Sequence, residues 1–449
     1  MRPFEEALRS MARGMKTFLI VTLGCKINQC ESTVMAEVLE GAGLTAVSEG
    51  MEADLIIINT CTVTAKTDSR SVHAIRRARS RSPQSTIVVT GCLAQRFPGE
   101  IGTMPEVDFV LGNKEKYSLA QIVGMLRRNE DLERIQVSDI AQTKEFSEFR
   151  LHRFSDYTRA FMKIQDGCNC SCSYCAVRLA RGASRSLTVK SVLEQFRFFQ
   201  SGGYHEIVLT GINLGSYGRD LSPPSSLADL LSVLVSVSDG TRIRLSSIEP
   251  HEWDEQLRQT LIMNPTICGH VHIPLQSGSD SVLARMNRRY SAQNYASLVK
   301  SIHQELPHSC IGADVISGFP GETDREFAET VSLIESLPLS YLHVFGYSSR
   351  PGTVASEMGA ACSSKVIRQR VSILRGISGH KRSEFRAGQK GRRLKALVLG
   401  KRDRQSGSLI GLTDNYINVL FEGNNSLYNT FQNIKVVHIS DTTVRGELC

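Results

Sequence analysis

The sequence predicts an α/β protein in three parts: an N-terminal parallel α/β sheet domain, a central open partial (β/α)6 barrel and a small C-terminal β-barrel. Three observations carry this expectation. Short apolar runs rich in Ile, Val and Leu alternate with polar stretches of helical spacing, once from Thr17 and again from Ala160. Four cysteines crowd into Cys168-Asn169-Cys170-Ser171-Cys172-Ser173-Tyr174-Cys175, just past the strand that opens the second series. Beyond Gly388 the apolar runs become short and evenly spaced, as in a small barrel.

At 449 residues the chain is too long for one core, so two or three domains are expected. The two series of strands and helices and the terminal run of short strands place them at 16–125, 150–385 and 386–449. A 41% hydrophobic and 22% charged composition is that of a soluble globular protein, and no apolar run reaches the length of a membrane span. The start, Met1-Arg2-Pro3-Phe4-Glu5-Glu6, lacks the apolar core of a signal peptide, which points to the cytoplasm. Residues 1 to 14, ahead of Met15, read as a disordered extension. Twelve cysteines in such a chain argue for metal or catalytic use rather than disulfides.

In the first series the strands are expected at Thr17–Val21, Leu55–Ile58, Ile87–Val89 and Val107–Leu111, with a helix over Glu31–Glu40. Ligands of parallel sheets bind beyond the carboxyl ends of the strands. A cysteine follows each of the first three strands after a turn signal: Leu23-Gly24-Cys25, Asn59-Thr60-Cys61 and Thr90-Gly91-Cys92. Cys25, Cys61 and Cys92 are therefore read as three ligands of one 4Fe–4S cluster with an iron left open, against the alternative of three unrelated buried cysteines. Residues 118 to about 150 are charged, show no strand pattern, and read as a linker.

In the second series the strands are expected at Ala160–Ile164, Glu206–Thr210, Arg242–Ser246, His270–Leu275, Ile311–Ile316 and Tyr341–Phe345. Six βα units are too few for an eight-stranded barrel, hence an open one. Cys168-x3-Cys172-x2-Cys175 lets one tight loop present three thiolates to a 4Fe–4S cluster, again with one iron open. A zinc loop through Cys170, Cys172 and Cys175 is the competing reading, but no second Cys-x-x-Cys or His-x-His knuckle follows.

Residues 363–386 have apolar spacing at Ile367, Val371, Leu374 and Ile377, an amphipathic and basic helix. Short strands follow at Leu394–Leu399, Leu409–Leu412, Tyr416–Leu420 and Asn433–Ile439. Residues 365–404 hold 14 Lys or Arg against 2 Asp or Glu, a local +12, whereas the whole chain carries only +8. The remainder is net acidic. A long solvated helix could explain part of this, but so one-sided a segment suits a phosphate backbone.

The cysteine loop with Tyr174 before its last cysteine resembles the signature of radical S-adenosylmethionine (SAM) enzymes. Leu23-Gly24-Cys25-Lys26-Ile27-Asn28-Gln29, Asn59-Thr60-Cys61-Thr62-Val63-Thr64 and Val89-Thr90-Gly91-Cys92 resemble the N-terminal domain of one subfamily, the methylthiotransferases. So do Thr210-Gly211-Ile212-Asn213-Leu214-Gly215, Ser246-Ser247-Ile248-Glu249-Pro250, Pro274-Leu275-Gln276-Ser277-Gly278 and Asp314-Val315-Ile316-Ser317-Gly318-Phe319-Pro320-Gly321-Glu322. Arg181-Gly182 also matches, while Arg178 and Leu179 stand where the family usually has Pro and an aromatic residue. The terminal segment resembles, by place and size, the TRAM RNA-binding domain.

The resemblance implies two 4Fe–4S clusters and SAM as cofactors, with Cys168, Cys172 and Cys175 holding the cluster that cleaves SAM. It places Tyr174 near the adenine of SAM and makes Thr210 and Gly211 candidate SAM contacts, with Gln276 and Ser277 behind them. Cys25, Cys61 and Cys92 would hold the second cluster, where sulfur is handled. The implied partners are tRNA and an electron donor such as a flavodoxin or ferredoxin, with the sulfur donor open. Three branches exist. The motif Leu209-Thr210-Gly211-Ile212-Asn213-Leu214-Gly215-Ser216-Tyr217-Gly218 looks most like the one acting on threonylcarbamoyladenosine, ahead of the isopentenyladenosine branch and of one that modifies a ribosomal-protein aspartate. A cluster-containing RNA-binding or redox protein without radical chemistry is the alternative from another class.

Overall fold

The computed structural model describes residues 14–128, 130–147 and 158–449. The extension expected over residues 1 to 14 lies, apart from Gly14, outside the described residues.

The N-terminal unit is a six-stranded parallel sheet of β1 (Thr17–Thr22), β2 (Thr45–Ala46), β3 (Leu55–Thr60), β4 (Thr86–Gly91), β5 (Phe109–Leu111) and β6 (Ile135–Gln136), in the order β2-β1-β3-β4-β5-β6. β3 and β4 are buried along their whole length, which is why they read as unbroken apolar runs. The linker expected over 118–150 is in part structure. Leu119–Arg128 is a helix whose Leu119, Ile122, Val123 and Leu126 pack on Phe18, Met35 and Leu39. Its apolar face has helical spacing, but the charges on either side of it masked that signal. β6 extends the sheet past the expected boundary at 125, and at two residues it is too short to show a period.

The central unit contains β7 (Ala160–Lys163), β8 (Gln165–Asp166), β9 (Arg185–Ser186), β10 (Glu206–Thr210), β11 (Arg242–Leu245), β12 (His270–His272), β13 (Cys310–Ser317) and β14 (Tyr341–Gly346). β7, β10 and β11 pair in parallel, as do β12, β13 and β14. A bridge from Ile243 to Ile267 joins the halves into one six-stranded arc, open between β14 and β7. All six expected strands are present. The short antiparallel pair β8–β9 carries the chain into and out of the cysteine loop.

The helix Ser364–Ala387 lies along β14, where Ser378 Oγ accepts the Leu342 N–H at 2.9 Å. It leads into a closed barrel of β15 (Arg393–Arg402), β16 (Leu409–Thr413), β17 (Asn418–Phe421), β18 (Phe431–Ile439) and β19 (Val444–Leu448). β19 had no sequence signal because Val444 is its one fully buried side chain.

This barrel is fastened to the central arc by arginines of β11. Arg242 Nη2 donates to Leu412 O at 2.6 Å, and Arg244 donates to Thr413 O at 3.0 Å and Asp414 O at 2.8 Å. Their charge is met by Glu206 of β10, which accepts from Arg244 Nε at 2.9 Å and Arg159 Nη1 at 3.1 Å. Burial alone would raise the Glu206 pKa, but the surrounding guanidinium groups hold it well below the usual carboxylate range. No helix among the described residues is long and apolar enough to cross a membrane.

Candidate active site at the strand ends

Cys25, Cys61 and Cys92 follow β1, β3 and β4, which are direct neighbours, so three distant residues reach one edge of the sheet. Local chemistry ties their turns together. Asn28 donates to Leu23 O at 2.7 Å and to Thr60 O at 3.0 Å, joining the loops of Cys25 and Cys61. Thr60 Oγ1 accepts the Leu93 N–H at 3.2 Å, joining those of Cys61 and Cys92. Gly24, at φ +101°, is required because a Cβ there would lie 2.8 Å from Cys61 Sγ. Gly91, at φ +92°, is required because a Cβ would meet Thr60 O at 2.4 Å.

All three are free thiols. Cys25 opens on the cavity, yet enough protein surrounds it that desolvation raises its pKa. Burial, and then Cys92 nearby, push Cys61 up to about 12. Below them lies a charged network that crosses from the sheet to the arc. Arg181 is 1% exposed and bonds Glu31 at 2.8 and 3.1 Å, Asp166 at 3.1 Å and Asn28 Oδ1 at 2.9 Å. Glu31 also takes Lys116 at 2.6 Å and Lys163 at 3.0 Å. Burial works to raise the Glu31 pKa, but Arg181, Lys116 and Lys163 hold it well below the carboxylate range. Arg185 lies 3.7 Å from Asp166, so four cations against Glu31 and Asp166 leave an excess positive charge, and Arg181 acts to lower the pKa of both Cys25 and Cys61. Three soft sulfur donors over a positive base fit the thiolate ligation of an iron–sulfur cluster.

The cysteine loop after β8 is pinned from outside. Ser173 donates through N–H to Met286 O at 3.0 Å and through Oγ to Arg285 O at 2.8 Å, and Asn287 donates to Ser171 O at 2.8 Å. All four sulfurs of the loop are hydrogen-bond acceptors. Cys168 Sγ takes the Cys170 N–H at 3.3 Å, Cys172 Sγ takes Arg288 Nη1 at 3.1 Å, and Cys175 Sγ takes the Val177 N–H at 3.4 Å. Such donors stabilise thiolates and adjust cluster potentials, so this donor set also fits. Burial pushes Cys175 up to about 12, so metal binding there releases a proton. Cys170 differs in its partners: its amide serves Cys168, its sulfur accepts from Asn213 Nδ2 at 3.7 Å, and its thiol also meets Cys168.

Tyr174 packs with Met286 and Phe319, and Arg288 Nη1 reaches its hydroxyl at 3.4 Å. The Thr210 hydroxyl donates to Met162 O at 3.1 Å, and Thr210 and Gly211 both line a cavity of about 910 Å³. Cys25 and Val63 from the sheet loops, Val177 after the cysteine loop, and Tyr416 from the terminal barrel line it too. Ser277 instead meets Thr330 Oγ1 at 3.2 Å and accepts the Ser279 N–H, a structural use, and Gln276 sits in the left-handed region at φ +66°. Sequence reasoning gave no role to Arg181, Glu31, Arg288 or Asn28. Arg181 and Asn28 lay within recognised motifs, but their partners are distant in sequence.

The basic segment is partly spent on the fold. Arg370 pairs with Glu322 and Asp324, each at 2.7 Å, Lys381 donates to Leu337 O at 2.8 Å, and Arg402 donates to Gly407 O, Gly423 O and Asn425. Arg393, Lys395 and Lys401 are exposed. Arg402 is thus removed from the residues expected to face RNA.

The family model described as "Uncharacterized protein family UPF0004" matches residues 17–112, and the "Radical SAM superfamily" model matches residues 162–334. The chain is 37% identical to threonylcarbamoyladenosine tRNA methylthiotransferase MtaB of Bacillus subtilis, over 94% of each chain. It is 37% identical to the protein of that name in Thermotoga maritima, over 96% of each. It is 31% identical to tRNA-2-methylthio-N(6)-dimethylallyladenosine synthase of Pelotomaculum thermopropionicum, over 96% of each. Among solved structures it is similar to the radical S-adenosylmethionine methyltransferase TsrM of Kitasatospora setae, with TM-score 0.56 and 14% identity over 74% of this chain and 75% of that one, a likeness of fold.

Proposed function

Because the chain belongs to the radical SAM methylthiotransferase family, we propose that it attaches a methylthio group to carbon 2 of threonylcarbamoyladenosine next to the anticodon of tRNA. The observation that carries this reading is one cavity lined by Cys25 and Val63 of the sheet loops and by Val177 just past the other cysteine loop, in a chain similar over nearly its whole length to enzymes of that name. The family brings a 4Fe–4S cluster and SAM, which supply a radical route to a C–H bond that no general base can ionise.

Cys168, Cys172 and Cys175 hold that cluster, with Arg288 and the amides of Cys170 and Val177 stabilising the thiolates. Tyr174, Thr210 and Gly211 border the SAM site. Cys25, Cys61 and Cys92 hold a second 4Fe–4S cluster, which the Arg181 guanidinium keeps in a positive field. The N-terminal sheet handles sulfur, residues 150–385 form the radical SAM core, and residues 386–449 form a TRAM-like RNA-binding domain. The adenosine leaves its loop stack to enter the cavity. A flavodoxin or ferredoxin supplies the electron, and the reaction runs in the cytoplasm.

Mass analysis of nucleosides from tRNA of cells with and without the gene tests the reading. The 2-methylthio derivative of threonylcarbamoyladenosine should vanish with the gene. Loss of the methylthio derivative of dimethylallyladenosine instead would move the assignment to the sister branch.

Binding of tRNA should weaken steeply with salt, with each phosphate contact adding roughly 0.7 to 0.9 to the log–log slope. Replacing Arg393, Lys395 and Lys401 by Gln should lower affinity and flatten that slope by about 2 to 3, with uncoupled SAM cleavage intact. An unchanged slope would show these side chains to be solvated surface only.

A further inference from the structure

The cavity holds positive charge that the chain does not answer. Lys26 and Arg382 both line it. The Lys26 ammonium lies 5.9 Å from the centre of the Tyr416 ring, and the Arg382 guanidinium 5.8 Å from that of Tyr341. Among the described residues neither has a carboxylate partner or a hydrogen bond. Nearby cations are treated differently: Arg244 is paired with Glu206, and Arg386 donates to Asp441 O at 2.6 Å. The one carboxylate in the described lining, Asp314, lies 3.2 Å from His272 Nε2, and the other nitrogen of that ring meets Ser247 Oγ at 2.7 Å.

A cation partly withdrawn from water costs free energy unless an anion faces it, and ring faces are weak substitutes. Lys26 directly follows Cys25, so an anion it grips is held beside the sulfur-handling edge of the sheet. Arg382, on the basic helix, is more exposed.

We infer that Lys26 and Arg382 form an anion subsite that takes the carboxylate of the threonylcarbamoyl group, and so select that adenosine over one bearing an apolar substituent. The inference rests on the functional reading above. A site built for a charged group rejects an analogue lacking it, because the partly desolvated cation is then left unpaired. A backbone phosphate of the anticodon loop offers the same charge, and the two sources are separable.

The test uses the full chain with both clusters reconstituted and two anticodon stem–loop RNAs, identical except that one carries threonylcarbamoyladenosine and the other plain adenosine. The parent should prefer the modified RNA. Lys26→Met should weaken binding of the modified RNA by roughly tenfold or more and leave the unmodified one unchanged. Lys26→Arg should keep most of the preference. Arg382→Gln, at an exposed position that folding does not need, should show the same selective loss. Equal weakening on both RNAs would assign the anion to phosphate. No weakening on either, or a parent without preference, would leave no anion subsite. Each of these overturns the inference. If instead the parent yields no methylthio product from the modified RNA, the functional reading itself fails, a separate readout from binding.

Discussion

Replacing Cys168, Cys172 and Cys175 together by Ala is expected to abolish 5′-deoxyadenosine formation and to halve the iron of the anaerobically reconstituted protein, from about eight to about four atoms per chain. The loop that carries them is anchored by Ser173 and Asn287 rather than by the sulfurs, so the variant should still fold. Cys170→Ala is the informative companion. Its amide donates to Cys168 Sγ, and alanine keeps that amide while removing the thiol that also meets Cys168. Full iron and full SAM cleavage in Cys170→Ala would exclude the zinc-loop reading. Loss of metal in that single variant, or iron that stays at about eight in the triple variant, would overturn the ligand assignment.

The triple change of Cys25, Cys61 and Cys92 to Ala should also remove about four irons, but with the opposite functional result. SAM cleavage should persist while methylthiolated nucleoside disappears. The two groups sit on different units, and the hydrogen bonds to Cys168, Cys172 and Cys175 come from residues 170–288 alone. The Arg181–Glu31 network beneath the second site does not depend on the three thiols, so the units should stay docked. A variant that loses both activities would mean that the groups serve one centre. A variant that keeps methylthiolation would reduce these cysteines to packing.

The sequence by itself determined whatever a short stretch can encode. Cys168-x3-Cys172-x2-Cys175 is legible because all three cysteines lie in one loop, so their sequence spacing alone says that their thiols can serve one centre. β3 and β4 were legible because strands buried on both faces leave continuous apolar runs. Where burial is partial or the element very short, as in β2, β6 and β19, no such run exists and the pattern was silent.

Tertiary structure decided everything that depends on which distant elements meet. The position of Cys25, Cys61 and Cys92 after strands could be read, but their convergence follows from β1, β3 and β4 being neighbours while β2 is placed outside them. The partnership of Arg181 with Glu31, 150 positions apart, leaves no local trace, because a buried charge is answered by whatever the packing brings within reach. For the same reason the sequence counted Arg370, Lys381 and Arg402 with the other basic residues, and only the fold separated those that hold the chain together from those left facing solvent.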